Sequence, residues 1–156
     1  MLAGAFVIPT SRATHRVAAQ IDSGVTVTIH ATEFSFRVSP QTVPPGTLHF
    51  VFINDSQSYE HEVWIYPQDQ PALAQMLALK EAGTDAAEDD YLQGIAGDAE
   101  DVAPGETATF DAVLSPGLTY ELGCFKNTDL DGQTMNHYDM GMHALLTVSD
   151  PGGQGQ

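Results

Sequence analysis

Short segments in which apolar and polar residues alternate make up most of the chain. Residues 25–31 (VTVTIHA) and 47–54 (TLHFVFIN) are the clearest, because every second residue is apolar. A period of two is typical of strands with one buried face. Further predicted strands cover residues 34–38, 61–66, 107–114, 118–125 and 141–149. Turn sequences such as Pro44-Pro45-Gly46 and Ser115-Pro116-Gly117 lie between them. We therefore predict an all-β fold, a Greek-key β-sandwich of about seven to eight strands.

One part of the chain changes to a helical period. From Pro71 to Gly83 the apolar residues recur every three or four positions, Asp69 or Gln70 can cap the first turn, and Gly83 can end the helix. Residues 85–95 could add a short second helix. We therefore predict a helical insertion around residues 71–95, in which Met76 belongs to the core rather than to a metal site.

The length of 156 residues suits a single domain. We predict a β-sandwich domain over residues 21–149 and a disordered, Gly-rich tail over 150–156. Residues 1–20 contain the short apolar run Leu2–Ile8, with no basic residue before it, and a small-residue cleavage sequence at Val17-Ala18-Ala19. We interpret this N-terminal segment as the remnant of an export signal or anchor. The expected location is periplasmic or extracellular, either free or membrane-associated through the N-terminus.

The charge balance is strongly acidic. Lys and Arg number 5 against 21 Asp and Glu, and the formal net charge is -16. Such a surface repels nucleic acid phosphates and anionic lipid, so neither is an expected partner. A basic protein partner fits better, as does simple solubility in a salty medium. If such a partner exists, the acidic stretch 88–101 could attract it.

The candidate chemistry is concentrated in residues 120–148, which include the only cysteine of the chain, Cys124. Cys124 cannot form an internal disulfide, and His137 and Met142 follow it. Cys124 closes one predicted strand and Met142 opens the next, so both lie at the same edge of the sandwich. His61 opens another strand that could start at that edge. Two imidazoles, a thiolate and a weak thioether form the ligand set of a blue-copper electron-transfer site.

The other histidines have simpler interpretations. His30 and His49 lie within strands and are assigned structural roles. His143 directly follows Met142 and points to the opposite face of its strand, so it is not assigned as a ligand.

These features resemble the cupredoxins, the group of plastocyanin, azurin and halocyanin, over about residues 25–148. The resemblance rests on the strand that ends at Asn54 with His61 seven residues later, and on Pro-Gly turns before strands. It also rests on Tyr120 ahead of Cys124, and on the pattern His137-x-x-x-Gly141-Met142 running into a terminal strand, LLTV.

The resemblance implies a site for one copper ion, with His61, Cys124 and His137 as equatorial ligands and Met142 as the axial one. It also implies that His137 faces solvent and forms the electron exit, with Tyr138 and Met140 at the border of a docking patch. We expect a monomeric, non-enzymatic electron carrier without a small-molecule substrate. Its partner would be a redox protein, such as a basic cytochrome or an oxidase.

One departure from the cupredoxin pattern lies between the ligands. Twelve residues (FKNTDLDGQTMN) separate Cys124 from His137, whereas that loop has only a few residues in the resembled family. The insert could bulge outward, cover the site, or displace the second histidine. Its sequence Asn127-x-Asp129-x-Asp131-Gly132 also resembles the start of a calcium loop, but the twelfth position is Tyr138 instead of Glu. We interpret it as an ordinary Asp/Gly turn.

Two other functions remain open. An exported copper trafficking or sensing protein could hold Cu(I) in the cluster of Met135, His137, Met140, Met142 and His143. An enzyme fits less well, because four protein ligands leave no open position for a substrate. The sequence also has no Ser/His/Asp or Cys/His arrangement that requires catalysis.

Overall fold

The computed structural model describes residues 22–83 and 92–150. Within these residues the chain forms eleven strands and the helix α1. The strands are β1 (Asp22–Ala31), β2 (Phe36–Ser39), β3 (Thr42–Val43), β4 (Gly46–Asn54), β5 (His61–Pro67), β6 (Gly97–Val102), β7 (Thr107–Leu114), β8 (Thr119–Gly123), β9 (Asn127–Leu130), β10 (Gln133–Asn136) and β11 (His143–Val148). Helix α1 (Pro71–Glu81) lies between β5 and β6.

The strands form two main sheets. The four-stranded sheet has the order β2-β1-β4-β7, and the five-stranded sheet has the order β3-β11-β8-β5-β6. Strand β1 is parallel to β4 and β3 is parallel to β11, while the other pairs within these sheets are antiparallel. Strands β9 and β10 form a separate hairpin. The predicted β-sandwich is confirmed.

The core lies between the inner faces of the two sheets. Residues 48, 50 and 52 of β4 are buried while His49 is exposed, as the alternation predicts. Val63 and Ile65 of β5 belong to the same core as the β4 residues. Burial of these side chains is the main stabilising contribution to such a fold.

A second, smaller cluster lies on the outer face of the five-stranded sheet. Helix α1 contributes Leu73 and Leu77, which pack against Trp64, Tyr66 and Phe125. Met76 packs against this cluster, as predicted.

The ends of α1 follow the sequence signals. The helix begins with Pro71 at its first position, and Gly83 follows it at φ 74°. The predicted second helix falls largely on residues 84–91, which lie outside the described residues.

The sandwich has more strands than the alternation predicts. Strand β6 (GDAEDV) carries three acidic residues and is not among the strands predicted from the sequence. It forms an edge of its sheet, where charged residues are well tolerated. Hairpin β9–β10 is polar and partly exposed, so it lacks a core-facing pattern.

Two further predictions concern the chain ends and the membrane. No helix in the described parts of the chain has the length and apolar character needed to cross a membrane. The N-terminal segment 1–20 and nearly all of the predicted tail, residues 151–156, lie outside the described residues.

Candidate metal centre

Three of the four predicted ligands meet at one end of the sandwich. The Nδ1 atoms of His61 and His137 are 3.2 Å apart. The Sγ atom of Cys124 lies 3.4 Å from Nδ1 of His137 and 3.9 Å from Nδ1 of His61. All three side chains are buried. The sequence therefore predicts this cluster correctly, although the two histidines are 76 positions apart in the chain.

The strand ends bring the ligands together. Cys124 directly follows β8 and Met142 directly precedes β11, and these two strands pair with His143 opposite Gly123. Strand β5, which begins at His61, pairs with the other side of β8. Backbone hydrogen bonds then link the ligand residues to each other. The Cys124 N–H donates to the Met142 carbonyl (3.1 Å), and the Met142 N–H donates to the His137 carbonyl (3.0 Å).

The twelve-residue insert folds back on itself as hairpin β9–β10. Its turn at Asp131-Gly132 has positive φ at both residues, 52° and 80°. This is the type I′ geometry for which Asp-Gly is a preferred sequence. At the base of the hairpin, the His137 N–H donates a hydrogen bond to the Lys126 carbonyl at 2.8 Å. The insert therefore projects from the ligand loop and leaves His137 beside Cys124. Asp131-Gly132 is an ordinary turn, as predicted.

Burial sets the protonation of the cluster. It lowers the pKa of His61 and of His137 to about 4 each, so both imidazoles are neutral near pH 7. It also raises the pKa of the Cys124 thiol to about 12. Neutral imidazoles are ready ligands, whereas this thiol requires a bound metal ion for ionisation.

The donor set fits one copper ion. Donor atoms lie about 2.0–2.3 Å from a first-row metal, so three donors in a trigonal plane are about 3.5 Å apart, which matches the separations found here. Met142 is fully buried in the same cluster as Cys124. Its thioether would be a soft fourth group, of the kind that copper prefers over harder cations.

The prediction that His137 faces solvent is wrong. His137 is 1% exposed, and its Nε2 is buried without a hydrogen-bond partner among the described residues. The rings of Phe34 and Tyr59 lie edge-on to its imidazole, with centroids 5.1 and 6.1 Å away. These rings come from the loops before β2 and β5. The spacing of the ligands in the sequence does not predict that these loops contact His137. A polar cavity of about 240 Å³ reaches His137 between residues 58–60 and 126–128.

The remaining described histidines have other partners, as predicted. Nδ1 of His30 lies 2.6 Å from Asp55 Oδ2, and Nδ1 of His49 lies 2.8 Å from Asp111 Oδ1. His143 stacks on a neighbouring tyrosine ring, with centroids 4.9 Å apart. His143 is therefore not part of the ligand cluster.

Two polar residues support the site through hydrogen bonds that the sequence alone does not show. Asn54 Nδ2 donates to the carbonyls of Tyr59 (2.9 Å) and Val102 (2.8 Å), which fixes the loop before β5. Glu62 Oε1 accepts the N–H of Phe125, the residue after Cys124, at 3.0 Å. Roles of this kind become recognisable only after the strands are paired.

Lys126 ties the hairpin base to the sheet. Its Nζ lies 2.6 Å from Glu60 Oε1 and 2.5 Å from Asp101 Oδ1. Two carboxylates around one ammonium favour its charged form, and they raise the pKa of Lys126 against the effect of burial. This ion pair network holds the start of β9 against the loop before His61.

Gly123 provides the space for two rings beside the site. The rings of Phe125 and Tyr138 stack with centroids 4.9 Å apart and planes 9° from parallel. A Cβ at Gly123 would lie 2.9 Å from Phe125 Cε2 and 3.1 Å from Tyr138 Cδ2. Phe125 directly follows Cys124 and Tyr138 directly follows His137 in the chain. Because Gly123 has no side chain, both ligand-bearing segments can pack closely on β8.

We expect Gly123→Ala to destabilise the metal-free protein by about 1–3 kcal/mol, because the rings must shift to admit the methyl group. Urea denaturation followed by circular dichroism measures the free energy of unfolding. Thr147→Ala, at an exposed position of β11, is the matched control and should change it by less than about 0.5 kcal/mol. An equal effect of the two substitutions would contradict the packing explanation.

Comparison with solved structures finds several proteins of the same fold. A reduced auracyanin from the photosynthetic bacterium Roseiflexus castenholzii aligns with a TM-score of 0.57 and 17% identity, over 82% of this chain and 99% of that chain. Auracyanin A, a blue copper protein from Chloroflexus aurantiacus, aligns with the same TM-score and 19% identity, over 80% and 98%. An azurin from Methylomonas sp. strain J gives 0.52 and 11%, over 81% and 98%.

Sequence comparison matches the chain to no protein-family model and to no curated protein. The structural similarity nevertheless covers nearly the full length of the solved proteins. The chain therefore has the cupredoxin fold, and it carries a His, Cys, His and Met set that fits one copper ion.

Proposed function

We propose that this protein is an electron carrier that cycles one copper ion between Cu(I) and Cu(II). His61, Cys124 and His137 are the equatorial ligands, and Met142 is the axial one. The observation that carries this proposal is the convergence of two imidazole Nδ1 atoms and one thiol within 3.9 Å in a buried site of a cupredoxin fold. Copper bound there supplies a one-electron redox couple.

The chain's own residues keep the ligand geometry fixed and dry. The ligands are held by backbone hydrogen bonds on two neighbouring strands, and the side chains of the site are almost fully buried. A rigid, water-excluded site changes little between two oxidation states, which favours fast electron transfer. The buried position of His137 implies that electrons pass to a partner through the surrounding residues and not by direct contact with that ring.

The surface suggests the kind of partner. The net charge of -16 favours a basic redox protein, such as a cytochrome or an oxidase domain. An electron carrier of this kind would work in the periplasm or outside the cell. The similarity to the auracyanin fold and the predicted remnant of an export signal at the N-terminus support this location. We propose that it acts as a monomer and binds neither nucleic acid nor a small-molecule substrate.

A copper titration tests the function. One equivalent of Cu(II) added to the metal-free protein should produce an intense visible thiolate-to-copper band. Ascorbate should bleach the band, and a mild oxidant should restore it over repeated cycles. Binding of Cu(I) without a coloured Cu(II) form would indicate the trafficking function instead.

We expect His137→Ala to remove the type 1 spectrum and weaken copper binding by more than about 100-fold, since it removes a ligand and not only an outer contact. His143→Ala is the matched control, because His143 directly follows Met142 but stacks on Tyr138 outside the ligand cluster. Visible absorption and electron paramagnetic resonance of the copper-loaded variants measure the effect. Loss of the spectrum in His143→Ala but not in His137→Ala would overturn the ligand assignment.

A further inference from the structure

An apolar groove lies on the outer face of the five-stranded sheet, between helix α1 and the loop that carries Tyr138. Its volume is about 170 Å³. The lining residues from α1 are Ala74, Gln75 and Ala78, and those from the ligand-bearing segments include Phe125, Tyr138 and Asp139. An apolar cavity of about 150 Å³ can hold a benzene-sized group, so this groove has room for one aromatic or aliphatic group.

The groove adjoins both ligand-bearing segments. Phe125 directly follows Cys124, and Tyr138 directly follows His137. The two rings stack with centroids 4.9 Å apart, and His143, which is exposed, stacks on the other side of Tyr138 at the same distance. A group bound in the groove would therefore touch side chains that are one residue away from two of the proposed copper ligands.

The approach to the site over His137 has a different character. His137 is 1% exposed and lies beside the rings of Phe34 and Tyr59. The cavity of about 240 Å³ that reaches it is polar, and Glu60 and Lys126 in its lining form an ion pair with each other. Charged groups that already have partners lose solvation when a protein covers them, whereas apolar side chains gain from it. The groove at Tyr138 is therefore the better contact surface.

The charges beside the groove indicate the chemistry of the partner. Asp139 is exposed and lines the groove, and no Lys or Arg is among the described residues that line it. The Tyr138 hydroxyl donates to Glu121 Oε1 at 2.7 Å, which places a second carboxylate next to the Tyr138 ring. The chain as a whole has a formal net charge of -16. An apolar groove with carboxylates beside it is complementary to an apolar group surrounded by cations.

We propose that this groove is the docking site of the redox partner, a basic protein that inserts an aromatic side chain or the edge of an aromatic cofactor between α1 and Tyr138. The proposal rests on the proposed electron transfer and adds the surface at which it occurs. One electron passes from the reduced copper site to an oxidised one-electron acceptor in the partner. No bond forms or breaks, and Tyr138 keeps its phenol proton.

A small cationic probe tests docking separately from electron transfer. Tris(phenanthroline)ruthenium(II) carries positive charge and flat aromatic edges, as the proposed partner does. We expect it to shift the amide NMR signals of Ala74, Ala78 and Tyr138 and not that of Ser58, which lines the polar cavity at His137. The full-length protein is used both with Cu(I), which is diamagnetic, and without metal. Hexaamminecobalt(III), a cation without aromatic edges, should shift the groove signals much less.

Substitutions in the groove locate the binding site. Ala78→Arg and Gln75→Arg each place a cation in the groove and should weaken binding of the ruthenium probe at least about fivefold. Thr109→Arg, at an exposed position of β7 in the other sheet, makes the same change of charge and should weaken it less than about twofold. Circular dichroism checks folding, and Gln75→Arg is informative even if Ala78→Arg does not fold, because Gln75 is exposed.

The same variants test whether electrons leave through this surface. Tris(phenanthroline)cobalt(III) oxidises the Cu(I) protein by one electron, and stopped-flow absorption follows the return of the visible band. Ala78→Arg and Gln75→Arg should lower the second-order rate constant at least about fivefold. Ser58→Arg adds the same charge at the cavity over His137 and should lower it less than about twofold.

Three results would overturn the proposal. Absence of shifts at the groove would mean that it is not a docking site, and equal effects of all four substitutions would mean diffuse attraction to an acidic surface. A larger effect of Ser58→Arg than of the groove variants would mean that electrons leave over His137. Probe binding in the groove of a protein that forms no copper band would instead refute the electron carrier and not the docking site.

Discussion

Cys124→Ser is expected to abolish the visible band of the copper-loaded protein completely. The band requires a thiolate bonded to Cu(II), and Cys124 is the only cysteine in the chain. A serine hydroxyl is a hard, weakly acidic group and does not replace the thiolate in a site built for soft ligands. Copper affinity should also fall by more than about 100-fold. Absorption spectroscopy and a competition titration with a Cu(I) chelator measure the two effects.

Met140→Ala is the matched control for this experiment. Met140 lies between β10 and β11, close to His137 and Met142. Its backbone N–H donates to the Asn136 and His137 carbonyls, and alanine preserves these hydrogen bonds. Its thioether is part of the Met/His cluster that a trafficking protein would use. The band should therefore survive in Met140→Ala. Retention of Cu(I) affinity in Cys124→Ser together with its loss in Met140→Ala would refute the electron-carrier proposal and favour trafficking.

The sequence is sufficient for the ligand cluster because the ligands lie at strand ends. Alternation locates β8 and β11 to within a few residues, and strands joined by one loop share an edge of the sandwich. For His61 the alternation gives only its position at the start of β5, and the pairing of β5 with β8 in the structure brings it to the same edge. The core faces of β4 and β5 are predictable for the same reason, because burial repeats every second residue.

The environment of the ligands is not predictable in this way. The Phe34 and Tyr59 rings that cover His137 come from loops distant in sequence, so its burial depends on tertiary packing. The hairpin in the insert has polar strands without a periodic apolar face, although Asp131-Gly132 marks its turn. The burial of Glu62 is the hardest feature to predict. A charged residue within a strand is expected to be exposed unless α1 is known to cover it.

The stability of the metal-free protein depends on pH through buried histidines and a buried glutamate, whose contributions change with pH in opposite directions. The pKa values of His61 and His137 are lowered from 6.5 to about 4, so their contribution to stability is present above pH 6.5 and lost as pH falls towards 4. The pKa of Glu62 is raised from 4.5 to about 7, chiefly by burial and then by the Glu81 charge. Its contribution is present below pH 4.5 and lost as pH rises through 7.

Replacing Glu62 by glutamine is therefore expected to stabilise the metal-free protein at pH 8. A pKa shift of this size corresponds to about 3 kcal/mol, since each unit is about 1.4 kcal/mol, and glutamine removes the charge while its amide oxygen can still accept the Phe125 N–H. Near pH 4.5 the native carboxyl is protonated, so the two proteins should differ little. Urea denaturation in the presence of a chelator, at several pH values, measures the difference. The control is Glu106→Gln, at an exposed residue beside a turn, which should give the same stability as the native protein throughout. A gain at pH 8 that persists unchanged at pH 4.5 would mean that packing, and not the buried charge, is responsible.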